Sequence, residues 1–182
     1  LNRQAGRYMP EYHQVKGNTP SLDFFKNPDL AAKAALDAQR ILGVDAAILF
    51  ADLLPMLEPM GLELDYVAGK GPIFSNPVRN EKDVLRLMTS SAEEATPYIS
   101  KTIQNILEDL PADIALIGFS GAPYTLASYA IEGRGSSNYL HVKKLMYEGE
   151  SIWNLLLTKL TDQLIGYLNL QIEAGVHAIQ IF

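Results

Sequence analysis

The sequence predicts an α/β fold built on a parallel sheet, and two observations carry that prediction. Three short apolar runs, 45–50, 113–119 and 176–182, lack the polar alternation of a half-exposed strand and read as strands buried on both faces. Long segments with helical spacing separate them, as parallel strands require a crossover between one strand and the next.

The elements follow in order. Leu1-Asn2-Arg3 reads as the stub of a cut strand, with no methionine before it. Arg3-Gln4-Ala5-Gly6-Arg7-Tyr8-Met9-Pro10-Glu11-Tyr12 sets two arginines around a glycine, and His13 to Pro20 reads as loop, with Gly17-Asn18-Thr19-Pro20 as its turn. Leu22, Phe24 and Phe25 suit a short helical turn. Asn27-Pro28 is a helix start, with Asn as cap and Pro in the first helical position, and Gly43 ends that helix. The first full strand, 45–50, runs into Ala51-Asp52. A short helix is predicted over 53–61, then a small strand over 62–67 and a second short one at Ile73-Phe74, within an excursion after the core strand. Asn80 caps a helix through Met88. Ser91-Ala92-Glu93-Glu94 is a capping box for a helix to about Asp109, with Pro97 in an early turn. After strand 113–119, Pro123 opens a helix to about Glu132. Paired helices are predicted over 139–148 and 151–174, Gly175 stops the second, and the last strand follows.

Composition narrows the function. The chain of 182 residues is 48% hydrophobic, carries a formal net charge of −6 and has no basic tract, which argues against a nucleic-acid partner. Cysteine is absent, which removes disulfides, thiolate metal sites and cysteine nucleophiles. No apolar run reaches the roughly 18–20 residues of a membrane span, so no membrane partner is expected. His13, His141 and His177 lie far apart without ligand spacing, and no metal is expected among them. His177, opening a strand, reads as a structural histidine. Gly118-Phe119-Ser120-Gly121-Ala122-Pro123 lacks a phosphate-binding fingerprint, so no nucleotide cofactor is expected.

Candidate chemistry converges on the C-terminal ends of the predicted strands, where sites form in parallel α/β folds. Arg3 and Arg7 suit a substrate with several carboxylates, because guanidinium forks bind carboxylates bidentately and keep their charge; paired surface salt bridges are the plain alternative. Asp52 could hold negative charge beside a developing cation, or cap the segment that follows it. Tyr129, like Tyr124, could donate a hydrogen bond near the mouth or simply pack on a helix face. Four core strands, counting the stub at 1–3, are half of a (β/α)8 barrel, which needs about 250 residues. The choice is therefore a doubly wound domain or a fragment of a longer barrel, and the abrupt ends favour the fragment.

The opening decapeptide closely resembles the N-terminal signature of the uroporphyrinogen decarboxylase family. Three further blocks match in order: 45–52, 117–129 and 173–182. Ser120, where the family often has alanine, and His177, in place of a common acidic residue, are small departures. The resemblance implies a (β/α)8 TIM barrel, with residues 1–182 as the N-terminal portion of a single barrel domain. It implies decarboxylation of the four acetate side chains of uroporphyrinogen III to give coproporphyrinogen III, with no metal or organic cofactor, in a homodimer of the cytoplasm (or of a plastid, if a transit peptide is missing). It assigns Arg3 and Arg7 to substrate carboxylates, Asp52 to the pyrrole N–H groups and Tyr129 to a place near Asp52. The family's later serine and C-terminal histidine have no counterparts here. The competing expectations are a corrinoid- or thiol-dependent methyltransferase of the same fold, which the Arg3–Arg7 motif opposes, and a non-catalytic tetrapyrrole binder or incomplete fragment.

Overall fold

The computed structural model describes residues 7–67 and 69–182. The predicted stub at 1–3, and Arg3 with it, lies outside them. The chain divides into two compact units.

The first unit comprises residues 1–52, 96–120 and 168–181. Helices α1 (Pro10–Lys16), α2 (Ser21–Phe25) and α3 (Pro28–Leu42) lead into strand β1 (Ala46–Ile48). Where a loop was expected after His13, α1 is helical through Lys16: Pro10 presets its first turn, Glu11 faces the N-terminal dipole, and Gly17 closes it at φ 49°. The α3 boundaries are those predicted. The Asn27 side chain accepts from the N–H groups of Asp29 and Leu30 at 3.1 Å, and Gly43 takes a left-handed conformation. Helix α3 buries a face of alanines (Ala31, Ala34, Ala35 and Ala38 among them) against the isoleucines of a later helix over Pro97–Asp109.

Strand β1 pairs in parallel with a strand over Ala115–Ser120, aligning Ile48 with Ile117; that strand pairs in parallel with one over Ala178–Ile181, aligning Ser120 with Ile181. The middle strand is held from the side as well. The Gln171 amide, wholly buried, accepts from the Phe119 N–H at 2.9 Å and donates to the Phe119 carbonyl at 3.0 Å. Gly118 makes this possible, because a Cβ there would lie 2.4 Å from Gln171 Oε1. His177 is structural, as its sequence context suggests. Its Nδ1 accepts from the Leu116 N–H at 3.0 Å, and its own N–H donates to the Leu116 carbonyl at 2.8 Å.

The expected (β/α)8 barrel is not what this chain forms. Among the described residues the parallel sheet has three strands and stays open, and the only other sheet is a two-stranded antiparallel hairpin. Closure needs every strand paired on both sides, whereas the strand over Ala178–Ile181 pairs only with its inner neighbour. The expectation that this last strand is buried on both faces fails for the same reason: Ala178, Gln180 and Ile181 are exposed.

The second unit comprises residues 53–95, 121–167 and 182. It opens with a single 3-10 turn over Pro55–Leu57 in place of the predicted helix, since Pro55 and Pro59 bracket too short a span. The hairpin follows: β2 (Leu64–Val67) against β3 (Gly71–Phe74). Helix α4 (Glu81–Arg86) is capped by Asn80, and Lys159 Nζ closes its C-terminal end by donating to the carbonyls of Val84, Leu85 and Leu87 at 3.0, 3.2 and 2.6 Å. The helix predicted over 91–109 is two, α5 (Ala92–Ala95) and α6 (Pro97–Asp109), the latter being the helix that packs on α3 in the first unit. The break falls at Thr96, with φ −137° and ψ 51°, because the residue before a proline is pushed out of the helical region. The middle sheet strand, β4 (Ala115–Ser120), precedes α7 (Pro123–Glu132), α8 (Leu140–Glu148) and α9 (Glu150–Glu173); β5 (Ala178–Ile181) is last. No helix among the described residues is long and apolar enough to cross a membrane.

Gln171→Leu tests the side clamp on β4. Leucine removes both hydrogen bonds to Phe119, a loss of about 0.5–1.5 kcal/mol for each. The urea midpoint should fall accordingly; an unchanged midpoint would show that Phe119 finds other partners.

Candidate functional site

The site in the first unit grows from the exit of β1. The Leu49 N–H still donates to the Ile117 carbonyl at 2.9 Å, which holds the chain beside β4 as it leaves the strand. Leu49, Phe50 and Ala51 are buried, and Asp52 follows with its side chain 18% exposed. Phe50 therefore has one possible surrounding, an aromatic one. Its ring meets Phe24 edge-on at 5.1 Å and lies tilted against Phe25 at 5.6 Å and Tyr12 at 5.8 Å.

Arg7 lies on this cluster. Its guanidinium carbon is 5.0 Å from the Phe25 ring centre and 5.4 Å from that of Phe50. Such contacts are worth about 0.5–2 kcal/mol, depending on desolvation. Nη2 lies 3.7 Å from Asp52 Oδ2. That is close enough for attraction and too long for a hydrogen bond, whereas a tight guanidinium–carboxylate pair closes to about 2.7–2.9 Å. Arg7 Nε and Nη2 are buried and make no hydrogen bond among the described residues. The plain alternative of a structural salt bridge is present in part, as the Arg7–Asp52 pair. A partly exposed pair at this distance contributes about 0–1 kcal/mol, and two buried N–H donors still lack an acceptor.

Burial pushes the Tyr12 phenol above its ordinary value, and the nearby Arg7 charge opposes the rise. Tyr12 is thus a neutral phenol near the Arg7 guanidinium.

Of the residues singled out from sequence, Arg7 and Asp52 come together here. Arg3 lies outside the described residues. Tyr129 belongs to the second unit, half-buried on α7, where it lines a cavity of about 190 Å³ with Tyr124, Ser128 and Arg134. Sequence reasoning missed Phe25 and Phe50 as the platform for Arg7. The available signal was the two-residue spacing from Phe50 to Asp52, which sets both on one side of an extended segment. Among the described residues no group of three or more His, Asp or Glu side chains is placed to hold a metal ion.

This geometry defines a class, an α/β protein with a guanidinium and a carboxylate side by side at the end of a parallel strand. The fold is shared with a solved methyltransferase from Methanosarcina mazei, at a TM-score of 0.69 and 24% identity, covering 94% of this chain and 50% of that one; the likeness is one of fold alone. The sequence model of uroporphyrinogen decarboxylase (URO-D) matches residues 1–182, and the chain belongs to that family. It is 48% identical to the uroporphyrinogen decarboxylase of Geobacter metallireducens over 182 residues, covering 100% of this chain and 53% of the relative. It is 46% identical to that of Carboxydothermus hydrogenoformans over 182 residues, covering 100% and 52%. The chain thus spans about half the length of the curated relatives it matches.

Tyr12 gives the site a pH signature. Its raised pKa means that the folded chain holds the phenolic proton more tightly than the unfolded chain does. The stability from this proton is complete below the unfolded value of about 10 and is lost as pH rises through the folded value. Tyr12→Phe should flatten the alkaline fall in stability, read as urea midpoints at about pH 8 and about pH 11. Parallel curves for the two proteins would contradict the burial argument.

Proposed function

We propose that this chain carries part of the site of a uroporphyrinogen decarboxylase, which removes the four acetate carboxyl groups of uroporphyrinogen III to give coproporphyrinogen III. The observation that carries the reading is the Arg7 fork, with two buried donors lacking an acceptor, 3.7 Å from the Asp52 carboxylate.

The reaction needs both kinds of group. A pyrrole acetate does not lose carbon dioxide directly, because the carbanion left behind is poorly stabilised. A proton first adds to the pyrrole α-carbon and makes the ring cationic. The bond to the carboxylate carbon then breaks, its electron pair flows into the ring, and carbon dioxide leaves. The exocyclic carbon takes a proton, the α-carbon returns one, and a methyl group remains. Asp52 sets negative charge where the ring becomes positive, fixed in place before the reaction begins. Arg7, and Arg3 by its motif, anchor substrate carboxylates. A guanidinium stays protonated at working pH, so the arginines position and do not deliver protons. Tyr129 offers a phenolic hydrogen bond to the substrate. The family resemblance supports two further parts of this reading: that the full-length protein is a homodimer, and that it works in the cytoplasm.

The test is carbon dioxide release from uroporphyrinogen III by a polypeptide of the relatives' full length that carries these 182 residues. Asp52→Asn should lower kcat by about 10²–10³-fold, the usual cost of a lost transition-state contact, with substrate binding little changed. Arg7→Gln should instead raise KM, by about tenfold for one lost charge-assisted pair. No release by the unaltered polypeptide would sink the reading, and an undiminished kcat in Asp52→Asn would remove the role given to Asp52.

A further inference from the structure

We propose that the loop from Gly133 to Tyr139, in the second unit, is a further binding place for carboxylate groups, centred on Arg134. The inference takes its ligand class, a polycarboxylate, from the proposed substrate and rests on that reading to this extent.

Two cavities meet at this loop. One, of about 190 Å³, is the cavity of Tyr129; the other is an open groove of about 590 Å³ that reaches Lys70 and Arg79. Arg134, Gly135 and Ser136 line both. The larger has the volume of an ordinary small-molecule site.

The charges here run against those of the chain. The whole carries −6, yet Lys70, Arg79 and Arg134 gather on one groove. None of the three has an ion-pair partner among the described residues. Arg79 Nη2 donates to the Glu132 backbone carbonyl at 3.2 Å, which fixes that guanidinium beside the groove. The acidic residue lining the groove, Glu132, is engaged elsewhere. Its Oε1 accepts from the N–H groups of His141 and Val142, at 3.0 and 3.1 Å, in the first turn of α8. Arg134 is exposed while its backbone bridges to Ile73 on β3, so the guanidinium projects from an anchored chain.

The loop is also held in a costly shape. Tyr139 is a non-glycine residue in the left-handed region, at φ 52° and ψ 43°, and its N–H donates to Ser136 Oγ at 3.0 Å. Side chains avoid this conformation, and it persists where the surroundings impose it, often at ligand-binding loops. Here it closes the turn that carries Gly135 and Ser136 along the wall of both cavities. With Tyr129 in the smaller cavity and Ser136 in both, the set offers a guanidinium fork and hydroxyl groups, the donors a carboxylate accepts from.

The test uses mellitate (benzenehexacarboxylate), which presents carboxylates on a ring but cannot undergo the reaction. Its binding to the full chain is measured calorimetrically at low and moderate salt. Arg134→Gln should weaken binding about tenfold and reduce the salt dependence; Arg134→Lys, which keeps the charge and loses the fork, should fall between. Arg7→Gln, in the other unit, should leave the Arg134-dependent component in place. Absence of saturable binding, or equal binding by wild type and Arg134→Gln, overturns the proposal and leaves the decarboxylase reading standing. Mellitate bound through Arg134 by a protein that releases no carbon dioxide from uroporphyrinogen does the reverse.

Discussion

The burial of Phe50 is the constraint from which the first unit's site follows. The ring leaves β1 with no solvent exposure and must be covered. Phe24 and Phe25 from α2 and Tyr12 from α1 cover it, so two helices that precede the strand are drawn to its C-terminal end. Arg7 lies against what remains of that aromatic surface. A guanidinium is weakly hydrated for a cation and tolerates an aromatic face, whereas a lysine ammonium would give up a stronger hydration shell. The position of the charge is thus set by apolar packing, and Asp52 tunes it from 3.7 Å without capturing it.

That arrangement separates two demands. A fork locked to Asp52 by short hydrogen bonds would be firmly placed but occupied. A fork with no anchor would spend side-chain entropy each time it met an anion. Holding Arg7 by its faces keeps it in place without committing its buried Nε and Nη2 to Asp52. Tyr12, kept protonated by burial, adds packing without adding a second negative charge.

Much of this was legible in the sequence where a local rule decides the outcome. Asn27-Pro28, Gly43, Asn80 and Pro123 fixed helix ends through capping and proline geometry, and the run before Asp52 announced its strand. Arg7 and Asp52 could be paired as candidates because their residue types and their place beside a strand end are local facts. What stayed hidden depends on distant partners. Nothing in 176–182 shows that β5 is covered on neither face, so its apolar run reads as a strand buried on both. The face-on support of Arg7 needed Phe25 and Phe50, 18 and 43 positions away in the chain, brought together. The break at Thr96 turns on Pro97, which the capping box upstream places in the early turn of one continuous helix and which instead opens a second.

Gly118 and Gln171 have a consequence for how this sequence can change. A methyl group at 118 would collide with the amide at 171 and press on Ile179 and Val176. An apolar side chain at 171 removes two hydrogen bonds from Phe119. The two positions, 53 residues apart in the chain, are in contact, so the effects of changing them need not add. The dependence runs mainly one way: a new residue at 171 still leaves Ile179 and Val176 to crowd any side chain at 118, so the glycine is the more constrained of the two.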